Sequence, residues 1–417
     1  MRRARPRALM LAPAMPSNCG NGLAMRLGQF LEALTRDFDV DLIVAPVAGV
    51  VTPEARRWAE SLGARLGVLD IQDTLDTQFG LLMLLSDAEA RAEAFARYGL
   101  PSLVARLSTT AALRCREMVA GRGYDLIHGS RSYCAPLAIA LGSGPSGYRR
   151  PVLTLDLDED DERVFRGLAA IAAQQGQVVT SRWRRLEADA FQRLTGSSIP
   201  QFDRVWVSSP ADAARLQASL PIHELNVMPN SIEMGVPSRR RDDGRTLLFV
   251  GTMGYEPNED AVAWFLGAIW PRLRGVAGVR VRVVGSSPTK RLHRLGRQAG
   301  VEVVGWAPDL APFYEEAALC IAPIRVGAGT RVKLLEAAAQ GVAIVSTRLG
   351  AEGLGLQTGR HLWLADTPIR FAAAIDEALS RPVERGRRSR AARAWIGKHF
   401  DRPSIVARLA TEFGALL

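Results

Sequence analysis

A chain of 417 residues, 47% of them hydrophobic, can bury two ordinary cores, so a disordered, fibrous or single small-domain protein is excluded. Aromatics make up only 6% while glycine and alanine abound, favouring alternating strands and helices over an all-β fold. The scattered Cys19, Cys115, Cys134 and Cys320 form no C-x-x-C pair, so neither a zinc site nor a disulfide framework is indicated, and a reduced, cytosolic setting follows. The net charge of +10 rests on arginine, with only Lys290, Lys333 and Lys398 as lysines, and GC-rich codon usage alone would produce that. Such a surface could attract phosphate-rich partners or an anionic leaflet. No basic run is interleaved with aromatics, so nucleic acid is not expected.

The start, MRRARPRALMLAP, has the charge of a signal peptide, but its apolar run is short and soon meets Pro13 and Pro16. It reads as a basic tail followed by a strand, Ala8 to Ala12. No stretch offers the roughly 18 uninterrupted apolar residues of a transmembrane helix. Pro16 to Gly22 is a loop, Leu23 to Arg36 a helix and Asp39 to Ala45 the second strand. Gly80 to Leu85, with helical patterns through Arg116, reads as an apolar insertion. Tyr124 to His128 is a strand ending in histidine, followed by Arg131 and Ser132. Ligands of open α/β sheets bind at that carboxyl edge, although a lone histidine is usually structural. Pro151 to Leu155 is a strand leading into the acidic run Asp156 to Glu162. Its D-x-D spacing could hold a divalent ion, while acidic residues in a solvated first helical turn would simply offset the dipole. Arg184 to Phe191 is a helix and Arg204 to Ser209 a strand.

Gly235 to Gly244, GVPSRRRDDG, is a charged, turn-rich linker after Val227-Met228-Pro229-Asn230-Ser231. Strands are expected at Thr246 to Val250, Arg280 to Gly285 and Val301 to Gly305, and a helical tail from Ala392 to Leu417 broken at Pro403. The most informative stretch is Ala318 to Leu354. Leu319 to Ile324 suits a buried strand, Gly327-Ala328-Gly329 a small-residue loop, and Thr330 an N-cap. Arg331 to Gln340 is a helix of strong formers stopped by Gly341, and Val342 to Ser346 is the next strand. In such a βαβ unit the glycine loop delivers unpaired amides and a helix dipole to an anion. Lys333, Glu336 and Gln340 share one helix face. They could read a diphosphate and then a ribose diol, or Lys333 and Glu336 could form an ordinary surface pair.

This stretch resembles the nucleotide-sugar signature of glycosyltransferase family 4 (group 1), retaining sugar transferases of the GT-B fold, and within it the polysaccharide-biosynthesis branch. The pattern G-x-G-x-x-x-K-x-x-E-A-x-A-x-G is met by Gly327, Gly329, Lys333, Glu336, Ala337, Ala339 and Gly341. Ala328 stands where many members carry a glutamate, whereas Ile344 to Thr347 and Gly350 to Leu354 resemble a branch that lacks it. The resemblance implies an α/β architecture of two Rossmann-like, doubly wound lobes facing a central cleft. The expected boundaries are 1–228 for an acceptor-side lobe, 229–245 for a hinge and 246–395 for a nucleotide-sugar lobe, with 396–417 as a final helix returning to the first lobe.

The implied activity is transfer of a sugar, with retention, from a nucleotide-diphosphate donor to a carbohydrate or polyprenyl-linked acceptor. The donor is a co-substrate, and neither a cofactor nor a metal is implied. The setting is cytoplasmic, with peripheral contact at the inner face of the membrane as an option that the apolar insertion would serve. By resemblance Lys333 and Arg331 meet the diphosphate, Glu336 the ribose and His128 the acceptor or donor sugar. Gly20, Asn21 and Gly22, with Arg26, occupy the first loop, and Asn230 the hinge segment. Gly251, Met253 and Asn258 occupy a G-x-M-x-x-x-P-N loop, Gly327, Gly329 and Thr330 the phosphate loop, and Trp306, Pro308 and Asp309 the base site. D-x-D is the metal-binding sign of the single-lobed GT-A glycosyltransferases and marks the main structural rival. A nucleotide-sugar epimerase of the same fold and an inactive carbohydrate-binding relative are the functional alternatives.

Overall fold

A computed structural model describes residues 5–143, 150–220, 222, 224–236 and 240–417. The first residues of the expected basic tail, 1–4, and the middle of the expected linker, 237–239, lie outside the described residues. The chain forms two compact units, Met1–Pro229 together with Ser404–Leu417, and Asn230–Pro403.

The first unit is built on a seven-stranded sheet of β1 (Arg7–Ala12), β2 (Asp39–Val44), β3 (Arg65–Val68), β4 (Leu126–Ser130), β5 (Val152–Asp158), β6 (Arg204–Val207) and β7 (Leu225–Val227). Its order is β3-β2-β1-β4-β5-β6-β7, with every pairing parallel. Helices cover both faces of such a sheet, so its central strands read as continuous apolar runs. Alternation within β1 divides the interior. Leu9 and Leu11 enter one core with Ile43, Ile127 and Phe191, while Met10 enters the other with Phe30, Trp206 and Phe413. Phe413 comes from the last helix, Arg402–Gly414, which is therefore part of the first unit's interior. That helix follows a break at Phe400 and Asp401 rather than at Pro403. Pro403 sits in the first turn, where a missing N–H costs nothing. The apolar insertion comprises three α-helices, Thr77–Met83, Ala88–Tyr98 and Thr109–Met118, the first two capped by Asp76 and Asp87.

The second unit has a six-stranded parallel sheet of β8 (Thr246–Val250), β9 (Arg280–Val284), β10 (Val301–Gly305), β11 (Leu319–Ala322), β12 (Ala343–Ser346) and β13 (Trp363–Leu364). Its order, β10-β9-β8-β11-β12-β13, reverses direction between β8 and β11. Crossovers on the two sides of such a point lie on opposite faces, which opens a crevice at the carboxyl ends of the two strands. In the first unit the same reversal lies between β1 and β4. Strands β3, β7 and β13 were not expected from sequence. Each is short and lies toward a sheet edge, where half-exposed residues blur the apolar signal.

Candidate active site

The second unit brings two loops to its switch point. One leaves β8 at Gly251 and enters the helix Glu256–Trp264; the other leaves β11 and enters the helix Val332–Ala339. A single side chain ties them: the Lys333 Nζ donates to Asn258 Oδ1 at 2.6 Å and lies 4.2 Å from the centre of the Phe249 ring. Asn258 Nδ2 donates in turn to the Thr252 carbonyl at 2.9 Å. The junction is tight enough to require glycine, since a Cβ on Gly251 would lie 2.8 Å from Asn258 Nδ2 and 3.0 Å from Lys333 Nζ. Burial, reinforced by the charge of Arg331, pushes the Lys333 ammonium down to about 7.

Arg331 folds over its own loop. Its Nη1 donates to the Ala328 carbonyl, while Nε and Nη2 are buried without a protein partner. Gly327, at φ +142°, passes so close beneath the guanidinium that a Cβ would collide with it. Ala328 is fully buried in this loop. Thr330 is buried and its carbonyl accepts from Asn230 Nδ2 at 3.3 Å. It does not cap the helix as expected. Arg331 is the boundary residue, in extended conformation, and no side chain caps the first turn.

Glu336 lies one turn further along. Its Oε2 accepts from the Tyr314 hydroxyl at 2.9 Å, and burial pushes the carboxyl up to about 7 against the opposing pull of Tyr314 and Lys333. The surface pair offered by the spacing does not form: Lys333 turns to Asn258 and Glu336 to Tyr314. Tyr314 carries no sequence signal beyond an apolar helical position. A second tie between the loops was also missed. Arg325, from the loop after β11, holds the buried Asp260 carboxylate through two bonds of 2.6 and 3.1 Å and lies over the Trp264 ring. Met253, expected in the donor loop, is buried. Trp306 is 71% exposed directly after β10.

In the first unit several expectations are corrected. His128 is the middle residue of β4 and not its end, and the ring is fully buried. It stacks on Phe30 at 4.8 Å and meets Phe413 edge-on at 5.7 Å, while Nδ1 and the Thr154 hydroxyl lie 3.0 Å apart. Burial and the nearby Arg26 push it down to about 3, which makes it a neutral core ring. Arg26 is likewise buried: its Nε and Nη2 clasp Asp156 at 2.7 and 2.6 Å, and Nη1 donates to the Met228 carbonyl. Asn21 caps the helix Gly22–Asp37 by accepting from Ala24 N, with Gly20 exposed beside it.

The acidic run is a helix start only at its end, where Asp161 and Glu162 form the first turn. Asp156 and Asp158 belong to β5, Asp160 caps the helix Asp161–Gln174, and Arg131 binds Asp158, Glu159 and Asp161. Both D-x-D carboxylates are thus engaged by guanidinium groups. Arg131 and Asp158 adopt left-handed φ values of +74° and +59°, a strain that this network holds in place.

Residues 244–381 match the model of the family described as Glycosyl transferases group 1. The match takes in all six strands of the second sheet. A protein described as an uncharacterized 44.6 kDa protein in the cps region of Klebsiella pneumoniae is 25% identical over 138 residues. Those residues are 31% of this chain and 36% of that protein, so the match spans about a third of the relative's length.

Among solved structures, the sucrose-phosphate synthase of Thermosynechococcus elongatus superposes with a TM-score of 0.69 at 16% identity, covering 99% of each chain. Anabaena HepE in complex with UDP and glucose gives 0.59 at 15% identity, covering 98% of this chain and all of that one. A mutant of S. aureus TarM, in complex with fondaparinux, α-GlcNAc-glycerol and UDP, gives 0.66 at 8%, covering 99% of each. At these identities the likeness speaks to fold, and the fold is GT-B: two Rossmann-like, parallel-sheet units.

Proposed function

We propose that this protein moves a sugar from a nucleotide-diphosphate donor to a carbohydrate or lipid-linked acceptor, with retention and without a metal ion, in the synthesis of a polysaccharide or cell-surface glycan. The observation that carries the reading is the switch-point crevice of the unit that the group 1 model matches, where Lys333, the unpartnered Nε and Nη2 of Arg331 and an uncapped helix N-terminus converge. In transfer, the bond from the anomeric carbon to the diphosphate oxygen breaks, and a bond to the acceptor hydroxyl oxygen forms on the same face. The hydroxyl proton leaves with the diphosphate. Lys333, Arg331 and the fixed amides oppose the charge that develops on the leaving group. Glu336 would accept from the ribose diol. The UDP bound by HepE and TarM supports a nucleotide ligand for this fold.

The test is a binding screen of UDP-, GDP- and ADP-sugars, followed by analysis of products with carbohydrate and polyprenyl-linked acceptors. Transfer with release of nucleoside diphosphate and an unchanged anomeric configuration is expected, and turnover should survive excess EDTA. An epimerised donor, or no nucleotide binding at all, would overturn the reading; loss of transfer on chelation, restored by manganese or magnesium, would overturn its metal-free form.

The site also sets a pH signature. Below about pH 7 Glu336 takes up a proton and ceases to be a charged acceptor; above about pH 7 Lys333 loses its proton and ceases to be a cation. Nucleoside-diphosphate affinity should therefore be greatest near neutrality and decline on both sides. Glu336→Gln should weaken binding roughly tenfold at neutral pH and abolish the acidic limb alone. An unchanged affinity and profile in that variant would remove Glu336 from the ribose.

A further inference from the structure

We propose that Asn258 is a positioning residue, whose carboxamide holds the Lys333 side chain over the crevice before any ligand arrives and leaves its charge uncancelled. This rests on the donor-site reading of Lys333. Asn258 is the third residue of its helix, and Nδ2 is committed to the Thr252 carbonyl. That bond decides which way the amide faces, so Oδ1 points at Lys333 Nζ. An amide oxygen accepts a hydrogen bond but carries no charge. A carboxylate here would pair with the ammonium and compete with an incoming anion.

The other surroundings of the amine agree with this role. The Phe249 ring attracts the cation without neutralising it. Of the titratable groups that bear on Lys333, Arg331 is a like charge, Cys320 has a thiol that burial pushes up to about 12, and Glu336 is bonded to Tyr314. Gly251 completes the junction, since a side chain there would displace both the amide and the amine.

The chain has only three lysines, so incorporation of lysine labelled with ¹³C at Cε yields three lysine signals, and Lys333→Arg identifies one by its loss. Their titration is followed by NMR in the full chain without ligand, and UDP, GDP and ADP affinities are measured separately. Relative to the unsubstituted protein, Asn258→Ala should lower the Lys333 midpoint by about one pH unit, because the ammonium loses its hydrogen-bond acceptor. Asn258→Asp should raise it by about one unit or more. Both should weaken diphosphate binding roughly tenfold at neutral pH, through an uncharged amine in the first and a cancelled charge in the second. The near-isosteric Asn258→Asp carries the test if the alanine variant does not fold. Nucleotide binding with a midpoint that neither substitution moves overturns the role of Asn258 and spares the donor reading. Midpoints that move as expected in a protein that binds no nucleoside diphosphate do the reverse.

Discussion

Lys333→Ala is expected to lower the turnover of sugar transfer about 100- to 1,000-fold, the equivalent of about 2.7–4 kcal/mol of transition-state stabilisation. The figure follows from what the amine can do only here. It is desolvated, pre-oriented by Asn258 and Phe249, and lies at the end of β8, where the departing diphosphate would gather charge. A cation fixed before reaction pays no reorganisation when that charge develops. The fold should tolerate the change better than the chemistry does, because removing a buried amine also removes its desolvation cost. Steady-state kinetics beside thermal melts distinguish the two effects. An activity loss that merely tracks a lowered Tm would make Lys333 a structural tie between two loops.

The largest effect on stability is expected in the first unit. Arg26 is buried to 1% exposure and Asp156 likewise, and two bonds of 2.6 and 2.7 Å join them. Breaking the pair from one side strands the other charge, so Asp156→Ala or Arg26→Met should each cost about 3–5 kcal/mol. The double variant Arg26→Met with Asp156→Leu should cost less than the sum of the two, since it leaves no orphan charge. Chemical denaturation of the full chain, with the transition of each unit followed separately, measures this. A cost below about 1 kcal/mol for Asp156→Ala would mean a hydrated carboxylate, free to serve a metal ion, and would reopen the D-x-D reading. Asp156→Asn with Asp158→Asn should destabilise the first unit and leave nucleotide binding nearly intact, because nucleotide is assigned to the second.

Several of the sequence expectations were local in origin, and these fared well. Thr246–Val250 and Val301–Gly305 are strands with the expected bounds, because an apolar run between turn formers has little alternative. The glycine loop and the helix after β11 were readable for the same reason, to within a residue at each end. His128 fared worse. From sequence, a histidine near the end of a strand looks alike whether it meets solvent or core. Phe413, near the other end of the chain, closes over its ring.

The sequence by itself determined a parallel α/β protein with a glycine loop at a helix N-terminus and with Lys333 and Glu336 on one helix face, because propensity, capping and periodicity act over a few residues. Only the tertiary structure decided what those side chains touch. Burial and partnership depend on elements distant in sequence. The return of the Arg402–Gly414 helix made His128 core, and the packing of β5 beside β4 turned an acidic run into the counter-charge of Arg26 and Arg131. Pairing β11 with β8 brought Asn258 to Lys333, and the chain from Tyr314 to Glu336 folded one onto the other. The Lys333–Glu336 pair that the spacing suggested was not used, because a buried polar group takes the hydrogen bond its surroundings supply.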